Sequence, residues 1–195
     1  MNKKEANKKR AKFLKKQWRK KHFNSALKLC PLKFQTNFES YNTPEIKEIK
    51  SSYIYGEVGN GKTILAAFLF LQAIEQTYYK KGYYPNVSAH FVNFPDLFFE
   101  LQKTMKDFSS ATVYEKYLTC DILVIDDFLK KKVSDWVADI VYHIINSRYE
   151  QQLLTILTSN LTLPEVSDKL QDDRVTRRIE ESFIIAKKAH YSKSK

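Results

Sequence analysis

The sequence predicts an α/β fold, a parallel sheet covered by helices on both faces, and three observations predict it. The stretch Gly56-Glu57-Val58-Gly59-Asn60-Gly61-Lys62-Thr63 matches the phosphate-loop pattern G-x-x-x-x-G-K-[ST] at each fixed position. It is preceded by Ser52-Tyr53-Ile54-Tyr55, a short β-branched and aromatic run, and followed by a helical run to Lys80. That is the strand–loop–helix setting a phosphate cradle needs. From Tyr53 onward, short apolar runs alternate with runs of helical period, the signature of parallel strands joined by helical crossovers.

Taken in order, the chain divides into a basic N-terminal arm, residues 1–30, and a domain over 31–195. The net charge is +11, but residues 1–22 hold eleven Lys or Arg against one Glu. The remainder carries 22 basic and 21 acidic residues and is close to neutral. A charge so confined predicts a polyanionic or acidic partner for the arm. Phe13, Leu14, Trp18, Phe23 and Leu27 interleave the basic residues, and Leu14 and Trp18 share a face if the arm is helical. Pro31 interrupts it, and a lead-in over 32–51 is expected to hold a short helix near 45–50.

Strand one is expected at 52–55 and helix 62–80 follows, with Leu65, Phe68, Leu69 and Ala73 at helical spacing and Gly82 closing it. Strand two is read at 89–92, then helices at 96–106 and 112–118. The run Ile122-Leu123-Val124-Ile125 is continuously apolar, as a central parallel strand should be. A helix over 134–149 shows Trp136, Val137, Ile140, Val141, Ile144 and Ile145 in a 3.6 period. Strand four is read at 153–157, short helices at 164–170 and 172–181, and strand five at 183–186.

Composition excludes several classes. A length of 195 residues is enough for one domain with a core of its own. No apolar run approaches the ~18 residues of a membrane-spanning helix, and the basic N-terminus lacks a secretory apolar region. Cys30 and Cys120 stand far apart with no C-x-x-C partner, so they are expected to be structural thiols in a reducing compartment, the cytoplasm. His90 and His143 are read as strand and helix residues rather than ligands. No N-K-x-D base-recognition motif is present, which disfavours a GTPase.

The chemistry-bearing residues follow from the loop. Three of the chain's four glycines fall at 56, 59 and 61. Gly56, Glu57, Val58, Gly59, Asn60, Gly61, Lys62, Thr63 and Ile64 would cradle phosphates with backbone N–H groups and a helix N-terminus. Lys62 would reach the β- and γ-phosphates, and the Thr63 hydroxyl would ligate Mg²⁺. Asp126 and Asp127 end the third strand. Asp126 has the place of a Mg²⁺-holding carboxylate, and Asp127 that of a general base for the attacking water. Asn160, after the fourth strand, is placed to meet that water and the γ-phosphate, or is a turn cap. Arg174 and Arg178 share a helical face and have the planar fork that matches phosphate oxygens. On spacing alone they read better as a solvated face paired with Asp173 and Glu181.

Together the stretches G-E-V-G-N-G-K-T, D-I-L-V-I-D-D, T-I-L-T-S-N and D-R-V-T-R-R-I resemble the AAA+ ATPases of the replicative-helicase loader and transposition-helper group, the DnaC/DnaI/IstB-like proteins. Ile144-Ile145-Asn146-Ser147-Arg148-Tyr149 also looks like that group, and the resemblance covers residues 34–186. It implies a five-stranded parallel sheet of order 5-1-4-3-2. It implies that Lys62 and Thr63 are Walker A, Asp126 and Asp127 are Walker B, Asn160 is sensor 1, and Arg178, with Arg174 as second candidate, is an arginine finger. Nine residues, Lys187–Lys195, follow the last strand, so no C-terminal lid domain is expected.

The function implied is ATP hydrolysis, with Mg²⁺, coupled to placing a replicative DNA helicase on single-stranded DNA. The protein would self-associate through the arginine finger and have no membrane partner. The alternatives are a transposition-helper ATPase that binds duplex DNA, and an assembly module that binds ATP with negligible turnover. Asp127 in place of the commoner glutamate keeps the last alternative open. The arm would either contact phosphates, with Trp18 or Phe13 stacking on bases, or dock its Leu14/Trp18 face on the helicase. A solvated tail is the third reading.

Overall fold

The computed structural model describes residues 5, 13, 22–35, 46–80, 87–106, 110–129 and 133–187. After a helical turn at 22–27, the elements run α1 (Leu32–Gln35), β1 (Ser52–Tyr55), α2 (Lys62–Lys80), β2 (Ala89–Asn93), α3 (Phe94–Lys106) and α4 (Ser110–Thr119). Then come β3 (Ile122–Asp126), α5 (Asp135–Glu150), β4 (Leu154–Ser159), α6 (Leu163–Leu170), α7 (Arg174–Ser182) and β5 (Ile184–Lys187). The five strands form one sheet in the order β2-β3-β4-β1-β5, with each neighbouring pair parallel. This is the expected order, read from the other edge.

Successive side chains of a strand point to opposite faces, and the sheet separates its core accordingly. Tyr53, Leu123, Ile125 and Leu157 face one layer, with α3 and α5–α7. Ile54, Ile122, Val124 and Ile156 face the other, where α2 lies. All five residues of β3 are buried, which accounts for its unbroken apolar run. Across the α2 layer, Ala66, Ala67 and Ala73 keep the helix close to the sheet, while Phe70 is fully buried and meets Phe91 edge-on at 5.6 Å. Each such large apolar side chain contributes about 1.5–3 kcal/mol on burial.

Ala26, Cys30 and Phe34, spaced by four, are buried in the same layer, and the His22 ring lies 5.3 Å from that of Tyr78 near the end of α2. Residues 22–30, which the sequence reading places in the arm, therefore carry core side chains. Leu14, Trp18 and Gly82 lie outside the described residues. Phe13 is exposed, and both cysteines are free and buried, with burial pushing the Cys30 thiol up to about 12.

One expectation is corrected. No helix forms over 46–50. The Gln76 amide donates to Ile46 O (2.9 Å) and its carbonyl accepts from Ile49 N–H (3.1 Å), while the Gln72 carbonyl accepts from Ile46 N–H (3.0 Å). Side chains of α2 thus meet the backbone groups that a helix would have paired internally. Strand β4 also runs two residues further than the apolar run 153–157, because Thr158 and Ser159 continue the ladder with Ile54 and Tyr55 of β1.

Arg148 is a core residue that composition would place at the surface. It is 1% exposed. Its Nε donates to Thr155 Oγ1 (2.8 Å), its Nη1 to the carbonyls of Tyr117 and Cys120 (both 2.9 Å), and its Nη2 to Leu154 O (2.7 Å). Burial lowers its pKa from the ordinary arginine value. The guanidinium joins the end of α4, the start of β4 and α5 through groups that each needed a donor.

Candidate nucleotide-binding site

Strand β1 ends at Tyr55 and α2 starts at Lys62, leaving six residues to turn the chain through the loop. Gly59 and Gly61 take φ of 85° and 78°, the left-handed region in which a side chain is strained. No atom lies within 4 Å of a Cβ built on Gly59, so backbone conformation rather than crowding requires glycine there. Lys62 is 7% exposed, and its Nζ donates to the carbonyls of Gly56 and Glu57, both at 2.8 Å. The ammonium is therefore held over the loop. Thr63 and Ile64, half-buried, occupy the first turn of α2, where N–H groups lack helical acceptors. The loop brings together backbone donors, a helix N-terminus and a buried cation, and that donor set fits a polyphosphate.

The acidic pair lies on the same carboxyl edge. In the sheet order, β4 separates β3 from β1, so the end of β4 lies between Asp126 and the loop. Asp126 is buried and accepts a hydrogen bond at Oδ1 from the Thr158 hydroxyl (2.5 Å). The same hydroxyl oxygen accepts from Asp127 N–H (3.1 Å), and Thr158 O accepts from Phe128 N–H (2.7 Å). Ser159 Oγ donates to Phe128 O (2.8 Å) and accepts from Leu161 N–H (3.1 Å). These bonds brace a turn in which Asp127 and Leu129 have φ of 56° and 58°. Lys169 of α6 donates to Leu129 O at 2.8 Å, closing the far side of the turn.

Asn160 is exposed just beyond β4, and the side chain that touches Asp126 is Thr158. Reading the polar end of the strand pointed to its last member and passed over Thr158. The signal lay in the register. Ile125 is opposite Leu157, so the next rung sets Asp126 beside Thr158. A cleft of about 540 Å³ opens beside Asp126, lined by Lys28, Gln35, Phe91, Asn93 and Asp96 among others. The segment before β1 thus forms one wall of the carboxyl edge.

Arg174 and Arg178 lie apart from this cluster, on α7 against α5. The Arg174 guanidinium lies 4.1 Å from the centre of the Tyr142 ring and pairs with Asp172 at 2.6 Å. Arg178 lies 4.7 Å from the Tyr149 ring, donates from Nε to Asn146 Oδ1 (2.9 Å) and pairs with Glu181 at 3.1 Å. Glu181 also receives the Tyr149 hydroxyl, and these two partners hold its carboxyl below the usual range. Tyr142, Asn146 and Tyr149, three and four residues apart, form one face of α5 that orients both guanidinium groups. Arg177, the third arginine, pairs with Asp173 in an exposed i,i+4 bridge.

A phosphate cradle after β1, an acidic pair after β3 and a parallel sheet of this order define the AAA+ type of phosphate-loop ATP-binding fold. Residues 46–190 match the family of IstB-like ATP binding proteins, and the chain belongs to that family. The replicative helicase loader DnaI of Bacillus subtilis (strain 168) is 28% identical over 141 residues, 71% of this chain and 42% of that protein. The chain therefore spans less than half the length of that relative. Among solved structures, the DnaC helicase loader is similar at a TM-score of 0.59 and 25% identity, over 81% of this chain and 87% of that one. Domain III of the replication initiation protein DnaA from Thermotoga maritima shares the fold at a TM-score of 0.60 and 23% identity, over 71% of this chain and 54% of that one.

Among the described residues, no helix is long and apolar enough to cross a membrane, and no group of three or more His, Cys, Asp or Glu could hold a metal ion. A Mg²⁺ site here would consist of Thr63, Asp126 and the nucleotide's own phosphates. Such a small set of protein ligands suits this ion.

Proposed function

We propose that the chain binds ATP with Mg²⁺ and hydrolyses it, and that this cycle helps to place a replicative DNA helicase on single-stranded DNA. The observation that carries the proposal is the buried Lys62 ammonium held over the loop on the carboxyl edge that also holds the buried carboxylate of Asp126. In this reading, residues 56–64 bind the phosphates through backbone N–H groups, and Lys62 exchanges its carbonyl partners for phosphate oxygens. Thr63 and Asp126 would hold Mg²⁺, which would supply neutralisation of phosphate charge. Asp127 accepts a proton from the attacking water and Asn160 orients that water. Arg178, with Arg174 beside it, reaches the γ-phosphate of a neighbouring copy, exchanging Glu181 for phosphate.

Two relatives support a helicase as the partner. The Bacillus subtilis relative is named a replicative helicase loader, and the DnaC structure is of a helicase loader. A cytoplasmic location belongs to the same proposal. The family's IstB-like description supports a second reading, a transposition-helper ATPase acting on duplex DNA.

The test is capture of purified replicative helicase by the full chain with ATP and Mg²⁺. Lys62→Ala and a chain lacking residues 1–21 serve as the comparisons. Capture that requires ATP and is lost in both variants is the expected result. Capture of duplex DNA instead, with no helicase retained, favours the transposition reading. A folded Lys62→Ala protein that binds ATP as tightly as the wild type removes the ATPase reading altogether.

A further inference from the structure

The end of β4 has a role that none of the expected site residues covers. Thr158 is 1% exposed and engages both carboxylate-bearing residues through one oxygen. Its proton goes to Asp126 Oδ1, and its lone pair receives the Asp127 backbone N–H. A single hydroxyl therefore acts as donor to one and acceptor from the other, between the proposed metal ligand and the proposed base. The backbone at the same place adds the Phe128 N–H to Thr158 O bond, and Ser159 adds its bond to Phe128 O.

The physical need is clear from the turn. Asp127 adopts φ 56°, a conformation uncommon for a residue with a side chain and costly unless neighbours hold it. Its N–H points back into the sheet, where Thr158 Oγ1 is the acceptor. That bond fixes the direction in which the Asp127 side chain leaves the backbone. At Asp126, donation to Oδ1 fixes the rotation of the carboxylate and leaves Oδ2 as the second oxygen for an incoming ligand. Valine has nearly the same shape as threonine but can do neither.

We infer that Thr158 is a positioning residue, which sets the Asp126 carboxylate for Mg²⁺ and the Asp127 backbone for its work on water. The inference rests on the ATP-hydrolysing reading above and adds to it the group that aligns the acidic pair. It also explains why two residues of β4 continue past the apolar run. Thr158 and Ser159 carry the strand up to the height of the turn that they brace, between β3 and β1.

The experiment compares wild type, Thr158→Val and Thr158→Ser in the full chain. Two quantities are read: the Mg²⁺ concentration for half-maximal binding of a fluorescently labelled ATP, and steady-state turnover of ATP. Binding of the same nucleotide in excess chelator and the thermal midpoint are recorded alongside. Losing a hydrogen bond to a charged group corresponds to roughly tenfold or more, so Thr158→Val is expected to need ~10-fold more Mg²⁺ and to turn over at least ~10-fold more slowly.

Binding without Mg²⁺ should be nearly the same in all three proteins, because the loop itself is intact. Thr158→Ser keeps the hydroxyl and should recover most of both losses. If Thr158→Val does not fold, Thr158→Ala takes its place in the same comparison. An unchanged Mg²⁺ requirement and turnover in the hydroxyl-free variant overturn the inference. So does a Thr158→Ser protein as impaired as the valine variant, since the methyl group and not the hydroxyl would then matter. A wild-type chain that binds no ATP in Mg²⁺ is a different failure, which removes the ATP reading and this inference together.

Discussion

Arg148 places a guanidinium in the core with three backbone carbonyls and a threonine hydroxyl around it. Shortening it exposes the logic of the site, because the carbonyls of Tyr117, Cys120 and Leu154 then lose a buried donor that water cannot easily replace. Each such loss costs about 1–3 kcal/mol, so Arg148→Met should lower the unfolding free energy by on the order of 3 kcal/mol or more, read from urea denaturation. A loss below ~1 kcal/mol would mean that water enters and re-pairs the carbonyls.

At the same scale, Asp127→Asn keeps the size and the backbone N–H but removes the base. It should bind ATP normally and hydrolyse it ~10²-fold or more slowly, in the range expected for a removed general base. Turnover at the wild-type rate would leave Asp127 as a turn residue only. A wild type with no turnover, even beside its partner, would favour the assembly module that uses ATP as a structural ligand.

At the level of elements, α2 does more than follow the phosphate loop. One end carries Lys62, and further along Gln72 and Gln76 pair the backbone of residues 46–49 on the approach to β1. Gln76→Leu preserves helical propensity and removes two of these bonds. It should cost roughly 1–3 kcal/mol and speed amide exchange at Ile49, while leaving α2 helical by circular dichroism. No change in Ile49 exchange would show that the segment is held by the burial of its isoleucines instead. Among the described residues, β5 is the edge strand beside β1, and its Ile184 and Ile185 are exposed.

For the whole molecule, the arrangement to be tested is a site shared between copies. Arg178 lies on α7, away from the acidic pair of its own chain, with a side chain one-third exposed and held ready by Tyr149 and Asn146. Neither Arg178→Ala nor Asp127→Asn alone should be active. Mixing the two inactive proteins should restore part of the turnover, since some interfaces then pair a wild-type arginine with a wild-type aspartate. A finger of this kind supplies ~10³-fold or more in rate, so even a minority of correct interfaces is measurable. Failure to recover any activity in a mixture shown to co-assemble would assign Arg178 a structural role within its own chain, beside Glu181.

The loop, the order of strands and helices, and the place of the acidic pair are legible in the residues alone. Each of these is written in neighbouring residues: glycines at 56, 59 and 61 before Lys62, an apolar run ending in Asp126, and a 3.6 period through α5. The sheet order came from the resemblance those stretches carry together. The pairings between residues far apart in the chain emerge only on folding. Thr158 meets Asp126 across 32 residues, Arg148 meets Tyr117 across 31, and Gln76 meets Ile46 across 30. None of these residues has a local pattern that announces it, because a hydroxyl, a guanidinium or an amide is polar wherever it stands. Only packing shows which of them is desolvated and what it must then pair with. The same reason places residues 22–30 against α2. The charge of residues 1–22 and the break at Pro31 suggest an arm that runs on to residue 30, whereas Ala26 and Cys30 complete an apolar layer that exists only once β1, β3 and α2 have come together.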